Sequence, residues 1–219
     1  MSKELNNNNN TFSKSLIVLG DNSVGKSSLL IQFSKNKFPT EYRSTIGVDY
    51  YYKNITLQQY KGTLNIWDTN GNEIERPILE PFHYKTSNAF IIVLSYDKED
   101  SSLNIINWLE FIRRQYESTS SLEDGRLIRN IPIFIVINKD DIKDKKFKKG
   151  LIEQTVKDEF PFVFICETTA TNKDKVERLF TTITSKILGI DIMNIGIDIT
   201  NPSMLPDDIN MPKKCLNCC

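Results

Sequence analysis

The stretch "SLIVLGDNSVGKSSLL", residues 15–30, decides the fold, because a strand, a glycine-bearing loop and a helix follow one another within it. Its apolar start is closed by Gly20 and is typical of a strand that is buried on both faces. Leu29, Leu30 and Phe33 lie in the helix that is predicted after the loop. Together these segments indicate the first unit of an α/β domain.

The same alternation continues along the chain. Three further apolar runs predict buried strands: "AFIIVL" at 89–94, "PIFIVI" at 132–137 and "FVFIC" at 162–166. Two sets of residues at helical spacing predict core-facing helices: Ile105, Leu109, Ile112 and Tyr116 in one, and Val176, Leu179, Phe180, Ile183 and Ile187 in the other. Strand-like runs that meet around Lys61 and Gly62 predict an antiparallel hairpin at the sheet edge. The expected fold class is α/β, with a mostly parallel six-stranded sheet and helices on both faces.

Composition favours one domain with tails, since the 219 residues are 39% hydrophobic and 26% charged. Lys and Arg total 28, as do Asp and Glu, and this balance argues against a nucleic-acid partner, which needs a basic excess. No apolar run approaches the roughly 18 residues of a membrane span. The first residues also lack the apolar segment of a secretory signal.

Three segments are expected along the chain. Residues 1–13 form an asparagine-rich disordered N-terminus, residues 14–189 form the domain, and residues 190–219 form a flexible tail. Cys166 lies in an apolar run, whereas the other three cysteines crowd the last five residues. A disulfide framework is therefore not expected, and a reducing compartment is.

The loop Gly20–Ser27, "GDNSVGKS", matches the phosphate-binding pattern G-x-x-x-x-G-K-S between a strand and a helix. Gly25 lets the backbone curl so that successive N–H groups point at phosphate oxygens. Lys26 would reach the β- and γ-phosphates, and the Ser27 hydroxyl would coordinate Mg²⁺. The alternative is a glycine-rich turn that binds nothing, which the strand and helix on either side disfavour.

Two later segments indicate which base is bound. "NKDD", 138–141, follows a buried run, and the Asp141 carboxylate would accept from the adjacent N1–H and N2–H₂ donors of guanine. Adenine presents an acceptor at N1, which a carboxylate repels. "ETTA", 167–170, follows the last strand, and its backbone would hold the base carbonyl from the opposite side. Taken alone, "NKDD" would favour a polar turn, and "ETTA" would be a weak motif; the order in which they follow the phosphate loop favours base binding.

In this order the motifs resemble a small GTPase of the Ras superfamily, closest to the Rab family, from about Lys14 to Gly189. "STIGVDY", 44–50, is similar to the Rab segment that begins with the switch I threonine, and "WDT", 67–69, to the start of switch II. "NWLEFI", 107–112, resembles a Rab helix that carries a Trp, and the final "CC" resembles a double geranylgeranylation signal. The resemblance implies the P-loop NTPase G-domain fold.

The resemblance also implies residue roles. Ser27 and Thr45 would ligate Mg²⁺, with Asp68 holding the ion through water. Lys26, Thr45, Gly71 and Asn72 would act in hydrolysis, with the Gly71 N–H bonding the γ-phosphate. Phe38 would stack edge-on against guanine. The complete set of residues expected to bind GTP or GDP is Gly20, Asp21, Asn22, Ser23, Val24, Gly25, Lys26, Ser27, Ser28, Phe38, Thr45, Asp68, Gly71, Asn138, Lys139, Asp141, Thr169, Ala170 and Thr171. The residues expected to face effectors are Ile46, Gly47, Val48, Asp49, Tyr50 and Trp67.

The partners implied by the family are an exchange factor, a GTPase-activating protein, effectors, a prenylation escort and a dissociation inhibitor. Geranylgeranyl groups on Cys218 and Cys219 would anchor the protein, since two lipid chains give stable membrane binding. The final "LNCC" is not a C-a-a-X box. The resemblance thus implies a monomer on the cytoplasmic face of an intracellular or plasma membrane that cycles with the cytosol.

Switch II departs from the family motif WDTAGQE, because Asn70 replaces the Ala and Asn72 replaces the Gln. Asn carries the carboxamide that orients the attacking water on a stem about 1.5 Å shorter. A misplacement of ~1 Å costs on the order of a hundredfold, so we expect hydrolysis to be about ten- to a hundredfold slower than in a Gln-bearing relative. Asn22 adds bulk near the γ-phosphate, and Pro77 and Pro81 should stiffen or reshape switch II.

Several alternatives stay open at this point. Asn70 would orient the water itself, or a partner would supply a Gln, or the rate would be normal for a slow family. Two functions follow: a GTP-hydrolysing switch in vesicle trafficking, or a hydrolysis-impaired, long-lived GTP-bound module anchored to a membrane. An adenine-nucleotide kinase or ATPase is disfavoured by Asp141 and by the lack of an arginine-rich lid.

Overall fold

The computed structural model describes residues 10–41, 43–117, 131–157, 163–190 and 199–200. The strands are β1 Thr11–Leu19, β2 Val48–Leu57, β3 Tyr60–Thr69, β4 Ala89–Ser95, β5 Ile133–Asn138, β6 Val163–Glu167 and β7 Ile199–Thr200. The helices are α1 Lys26–Lys35, α2 Pro81–Thr86, α3 Glu99–Leu103, α4 Ile105–Glu117, α5 Lys149–Val156 and α6 Lys173–Leu188. Within these described ranges, none of the helices combines the length and the apolar character needed to cross a membrane.

The described strands form one sheet in the order β2-β3-β1-β4-β5-β6-β7. β2 is antiparallel to β3, whereas β3, β1, β4, β5 and β6 are parallel to one another. The expected mostly parallel sheet of six strands with a hairpin at its edge is therefore confirmed. In addition, the short β7 pairs antiparallel with Ile165 and Cys166 of β6, although it lies within the segment that was expected to be a flexible tail.

The domain also begins earlier than the sequence suggested. β1 starts at Thr11, which pairs with Lys61, and Ser13 pairs with Thr63. Residues 11–13, assigned to the disordered N-terminus, are thus part of the sheet. Pairing with β3 holds them there, because it satisfies their backbone hydrogen-bonding groups.

The hairpin turn differs from the prediction as well. Leu57 and Tyr60 form the last pair, so the turn consists of Gln58 and Gln59 and not of the expected Lys61 and Gly62. Gly62 serves another purpose, since a Cβ added there would lie 2.0 Å from the Phe12 carbonyl oxygen of β1. Glycine is required at that position by the close approach of two strands.

The core lies on both faces of the sheet. Ile17 and Leu19 point to the face that α2, α4 and α5 cover, and Leu16 and Val18 point to the face that α1 and α6 cover. This alternation along one strand explains why its whole apolar run is buried. All the predicted helical stripe residues lie in or against these two clusters, so the expected helices on both faces are confirmed.

The parallel strands place the polar loops at one edge. β1, β3, β5 and β6 end at Leu19, Thr69, Asn138 and Glu167, and each is followed by one of the predicted site segments. Because parallel strands have their carboxyl ends at the same side of a sheet, these loops meet there.

Candidate functional site

The phosphate loop depends on two glycines. Gly20 has φ +128°, and a Cβ on it would lie 2.2 Å from the Val93 carbonyl oxygen. Gly25 has φ +95°, and a Cβ there would lie 2.3 Å from Asn138 Nδ2. Both positions combine a backbone conformation that favours glycine with a close neighbour. The loop therefore curls tightly before α1, as the motif predicted.

Lys26 lies inside this curl. Its Nζ donates to the carbonyl oxygens of Gly20, at 2.7 Å, and Asp21, at 2.9 Å. Burial lowers the pKa of Lys26 to about 8, against the opposing effect of the Asp68 and Glu73 carboxylates. A buried ammonium group that lies within the curled loop is suited to holding phosphate oxygens.

Ser27, Thr45 and Asp68 meet as expected of a metal site. Ser27 Oγ donates to Asp68 Oδ2 at 2.6 Å, and Ser27 Oγ and Thr45 Oγ1 share a hydrogen bond of 2.8 Å. Burial raises the pKa of Asp68 to about 6, and Oδ1 of Asp68 has no hydrogen-bond partner among the described residues. Two hydroxyls beside a buried carboxylate with an unused oxygen fit Mg²⁺, which prefers hard oxygen ligands. Bound there, the ion would neutralise phosphate charge.

Switch II is held by a residue that the sequence did not single out. The fully buried Glu73 accepts from the Asn70 N–H at 3.1 Å and from the Gly71 N–H at 3.0 Å. The Gly71 N–H, expected to face the γ-phosphate, therefore bonds a carboxylate in this structure. The physical reason is that a carboxylate can accept two adjacent backbone donors at once.

The side chain of Asn72 lies against the phosphate loop. Asn22 Nδ2 donates to Asn72 Oδ1 at 2.7 Å, and the Asn72 N–H donates to Asn70 Oδ1 at 2.8 Å. Asn22, Asn70 and Asn72 thus belong to one chain of hydrogen bonds between the phosphate loop and switch II.

Asn138 connects two loops of the site. It is 1% exposed, its Nδ2 donates to the Val24 carbonyl oxygen at 2.9 Å, and its Oδ1 accepts from the Ala170 N–H at 3.1 Å. Lys139 has φ +60° and donates to Asp97 Oδ2 at 2.7 Å and to the Ser23 carbonyl oxygen at 3.3 Å. These bonds fasten the segment after β5 to the phosphate loop.

The two neighbouring aspartates differ in their surroundings. Lys145 and Lys175 donate to the Asp140 carboxylate at 2.5 and 2.7 Å. Partial burial alone would raise the pKa of Asp140, but these lysines hold it below its ordinary value. Asp141 is exposed and has no hydrogen bond or ion pair within the described parts of the chain. Of the two, Asp141 is the carboxylate whose oxygens are available to a ligand.

The structure brings together only some of the remaining residues that were predicted to bind the nucleotide. Thr169 and Thr171 share a hydrogen bond of 2.8 Å between their hydroxyls after β6. A cavity of about 380 Å³ lies between the phosphate loop, α1 and switch I, and its lining includes Lys26, Ser27 and Thr45. Phe38 is 43% exposed and does not line this cavity. Among the described residues, the segments after β5 and β6 do not line it either.

The predicted effector residues lie around the start of β2: Ile46 and Gly47 precede it, Val48, Asp49 and Tyr50 begin it, and Trp67 pairs with Tyr50 from β3. Ile46 is 95% exposed and Tyr50 is 50% exposed, and the Tyr50 ring lies 5.0 Å from that of Trp67. Trp67 also contacts His83, at 4.8 Å between ring centroids, and the neighbouring Phe82 is 65% exposed. Sequence reasoning did not single out Phe82, which lies in α2, a short helix with Pro81 at its first position.

Trp108 of α4 and Asn104, the residue before that helix, brace the phosphate loop through contacts that motif reasoning also missed. Trp108 Nε1 donates to Asp21 Oδ1 at 2.8 Å, and Asn104 Nδ2 donates to Asp21 Oδ2 at 3.1 Å. The available signal was the Trp of "NWLEFI", a polar-tipped ring on an otherwise apolar helix stripe.

A glycine-bent loop ahead of a helix, a buried lysine and an unpaired aspartate at the carboxyl edge of a parallel sheet define a P-loop nucleotide-binding protein. The family model described as "Ras family" matches residues 15–189, and the chain belongs to that family. It is Rab-like, as its sequence predicted.

The chain is similar to several Rab and Ypt proteins. It is 31% identical over 215 residues to "GTP-binding protein ypt3" of Schizosaccharomyces pombe, covering 93% of this chain and 94% of that protein. It is 32% identical over 172 residues to "GTP-binding protein ypt1" of the same yeast, covering 78% of each chain. "Ras-related protein Rab-9A" of Rattus norvegicus is 31% identical over 208 residues, which cover 93% of this chain and 96% of that protein.

Proposed function

We propose that this protein is a Rab-like switch that binds GTP and GDP with Mg²⁺, hydrolyses GTP slowly and recruits effectors in membrane trafficking. The observation that carries the guanine assignment is the pair Asp140 and Asp141. Asp140 is neutralised by Lys145 and Lys175, whereas the exposed Asp141 keeps its acceptor oxygens available. A free carboxylate at this edge pairs with the two adjacent donors of guanine and repels adenine.

Guanine binding is tested with matched substitutions at these two aspartates. Asp141→Asn should weaken GDP binding at least tenfold, because hydrogen bonds to charged groups contribute about 1.5–3 kcal/mol each. Asp140→Asn is the control, since its carboxylate faces lysines of the protein. GDP and ATP affinities are measured by equilibrium titration of all three proteins. Tighter ATP than GDP binding by the unchanged protein would refute the proposal.

The switching itself would involve Thr45 and Gly71. Thr45 lies within hydrogen-bond distance of Ser27 and can turn to a metal ion, and Gly71 can exchange its bond to Glu73 for a phosphate oxygen. Both loops would then be ordered by the γ-phosphate and released on hydrolysis. The exposed aromatic face of β2 and β3 lies beside both loops and supports effector recognition there.

Slow hydrolysis follows from Asn72. Its carboxamide is on a stem shorter than that of Gln by about 1.5 Å, and its oxygen bonds Asn22 in this structure. Both features support a rate about ten- to a hundredfold below that of a Gln-bearing relative. An exchange factor and a GTPase-activating protein would accordingly control the lifetime of the GTP state.

Membrane attachment is proposed through Cys218 and Cys219, which lie outside the described residues. Two geranylgeranyl chains would hold the protein at the cytoplasmic face of a membrane, and an escort and a dissociation inhibitor would shield them in the cytosol. Incubating the full chain with a geranylgeranyl transferase and donor should shift it to liposomes. Cys218→Ser/Cys219→Ser should remain in the supernatant, and equal sedimentation of both proteins would refute this assignment.

A further inference from the structure

Two asparagine side chains connect the phosphate loop to switch II through a hydrogen bond. Asn22 lies in the loop after β1, and Asn72 lies in the segment after β3. Their carboxamides meet directly, with Asn22 Nδ2 donating to Asn72 Oδ1 at 2.7 Å. We call this pair the asparagine clasp.

The backbone on the switch II side is fixed around the clasp. Asn70 Oδ1 accepts from the Asn72 N–H at 2.8 Å, while Glu73 holds the N–H groups of Asn70 and Gly71. Gly71 also packs closely, since a Cβ there would lie 2.8 Å from the Asn22 backbone nitrogen. The Asn72 side chain is therefore presented to Asn22 by an already restrained segment.

The clasp occupies the oxygen that matters for hydrolysis. A carboxamide at this point of switch II orients the attacking water, and its oxygen is the acceptor for a water proton. The lone pairs of that oxygen lie in the carboxamide plane, so a donor on one of them fixes the direction of the other. While Asn22 holds the oxygen against the phosphate loop, the Asn72 side chain is not free to turn to the water.

We propose that Asn22 is a positioning residue that restrains the Asn72 carboxamide and thereby slows intrinsic GTP hydrolysis. This inference rests on the proposed function. It differs from the effect of the short Asn72 stem, because it assigns part of the slow rate to a residue in the phosphate loop. Removing the donor should therefore accelerate hydrolysis without any change at Asn72.

The test is a double-mutant cycle in single-turnover GTP hydrolysis, using the full chain with Asn22→Ala, Asn72→Ala and both together. Asn22→Ala should hydrolyse GTP about two- to tenfold faster, the range that one net hydrogen bond represents. In the Asn72→Ala background the same change should have no effect, since no carboxamide remains to be released. Asn54→Ala, at an exposed position of β2, is the control for loss of an asparagine.

GTP and GDP affinities of every variant are measured in parallel, which keeps the two hypotheses apart. Failure of the unchanged protein to bind guanine nucleotides would overturn the proposed function, and this inference with it. If binding is intact, an unchanged or slower rate in Asn22→Ala overturns the clasp alone. Equal acceleration with and without Asn72 also overturns it, because the gain would then come from removing bulk beside the γ-phosphate.

Discussion

Asn138→Ala tests whether the site is held together by one buried side chain. Asn138 is 1% exposed and joins the Val24 carbonyl oxygen of the phosphate loop to the Ala170 N–H of the loop after β6. Alanine removes both hydrogen bonds and leaves the Val24 carbonyl and the Ala170 N–H without a partner and away from water. Each such unsatisfied group costs about 1–3 kcal/mol, so the free energy of unfolding should fall by roughly 2–6 kcal/mol.

The assay is urea unfolding of the protein in the presence of Mg²⁺ and GDP. Bound nucleotide adds RT ln(1 + [L]/Kd) to the stability, so the measurement is repeated at several GDP concentrations and the ligand contribution is subtracted. GDP affinity should also fall, since Asn138 joins two loops that are both proposed to contact the nucleotide. Both quantities come from the same set of unfolding curves.

Asn54→Ala serves as the matched control, because Asn54 is an exposed asparagine on β2 that accepts from the Thr63 hydroxyl at 2.9 Å. It should lose less than about 1 kcal/mol, as expected for a solvent-exposed hydrogen bond. Equal losses for the two substitutions would refute the reasoning, since buried and exposed hydrogen bonds would then contribute alike.

Three further predictions concern hydrolysis, the metal and the phosphate loop. Asn72→Gln should raise the single-turnover rate of GTP hydrolysis about ten- to a hundredfold, and equal rates would show that another group places the water. Burial raises the pKa of Asp68 from 3.8 to about 6, so the ionised carboxylate destabilises the folded state. The free energy of unfolding should therefore rise as the pH falls from 6 toward 4 and the carboxylate is protonated. The metal-free protein should therefore gain up to about 3 kcal/mol over that range relative to Asp68→Asn, and parallel pH profiles in urea unfolding would contradict this. Trp108→Phe should release GDP several-fold faster, because Asp21 loses the 2.8 Å bond from Nε1; an unchanged dissociation rate would show that α4 does not brace the loop.

Much of the fold was predictable because its signals are local. Apolar runs such as 89–94 and 132–137 identified strands buried on both faces, and residues at helical spacing identified α4 and α6. The G-x-x-x-x-G-K-S pattern located the phosphate loop, and the order of motifs identified the Ras family, which is confirmed. The periodicity of apolar residues and the spacing of motif residues are properties of the sequence alone, so they could be interpreted before any tertiary contact was known.

Turn and boundary positions were less predictable. The glycine at position 62 suggested a turn, yet the turn lies at Gln58 and Gln59 because Gly62 is needed where β1 passes. The start of β1 at Thr11 likewise depends on pairing with β3. A glycine can be required by a turn or by the close approach of another strand, and only the tertiary structure shows which of these applies.

The sequence by itself determined which groups lie at the candidate site: the loop glycines, Lys26, the three residues proposed to hold Mg²⁺, and the exposed Asp141. Only the tertiary structure decided how those groups are held. Glu73 takes the Gly71 N–H, Asn22 holds Asn72, and Asn138 joins two loops. The physical reason is that a hydrogen bond between segments far apart in sequence depends on the crossing of strands and loops. No local pattern encodes that crossing, so these contacts could be found only once the sheet had brought the loops together.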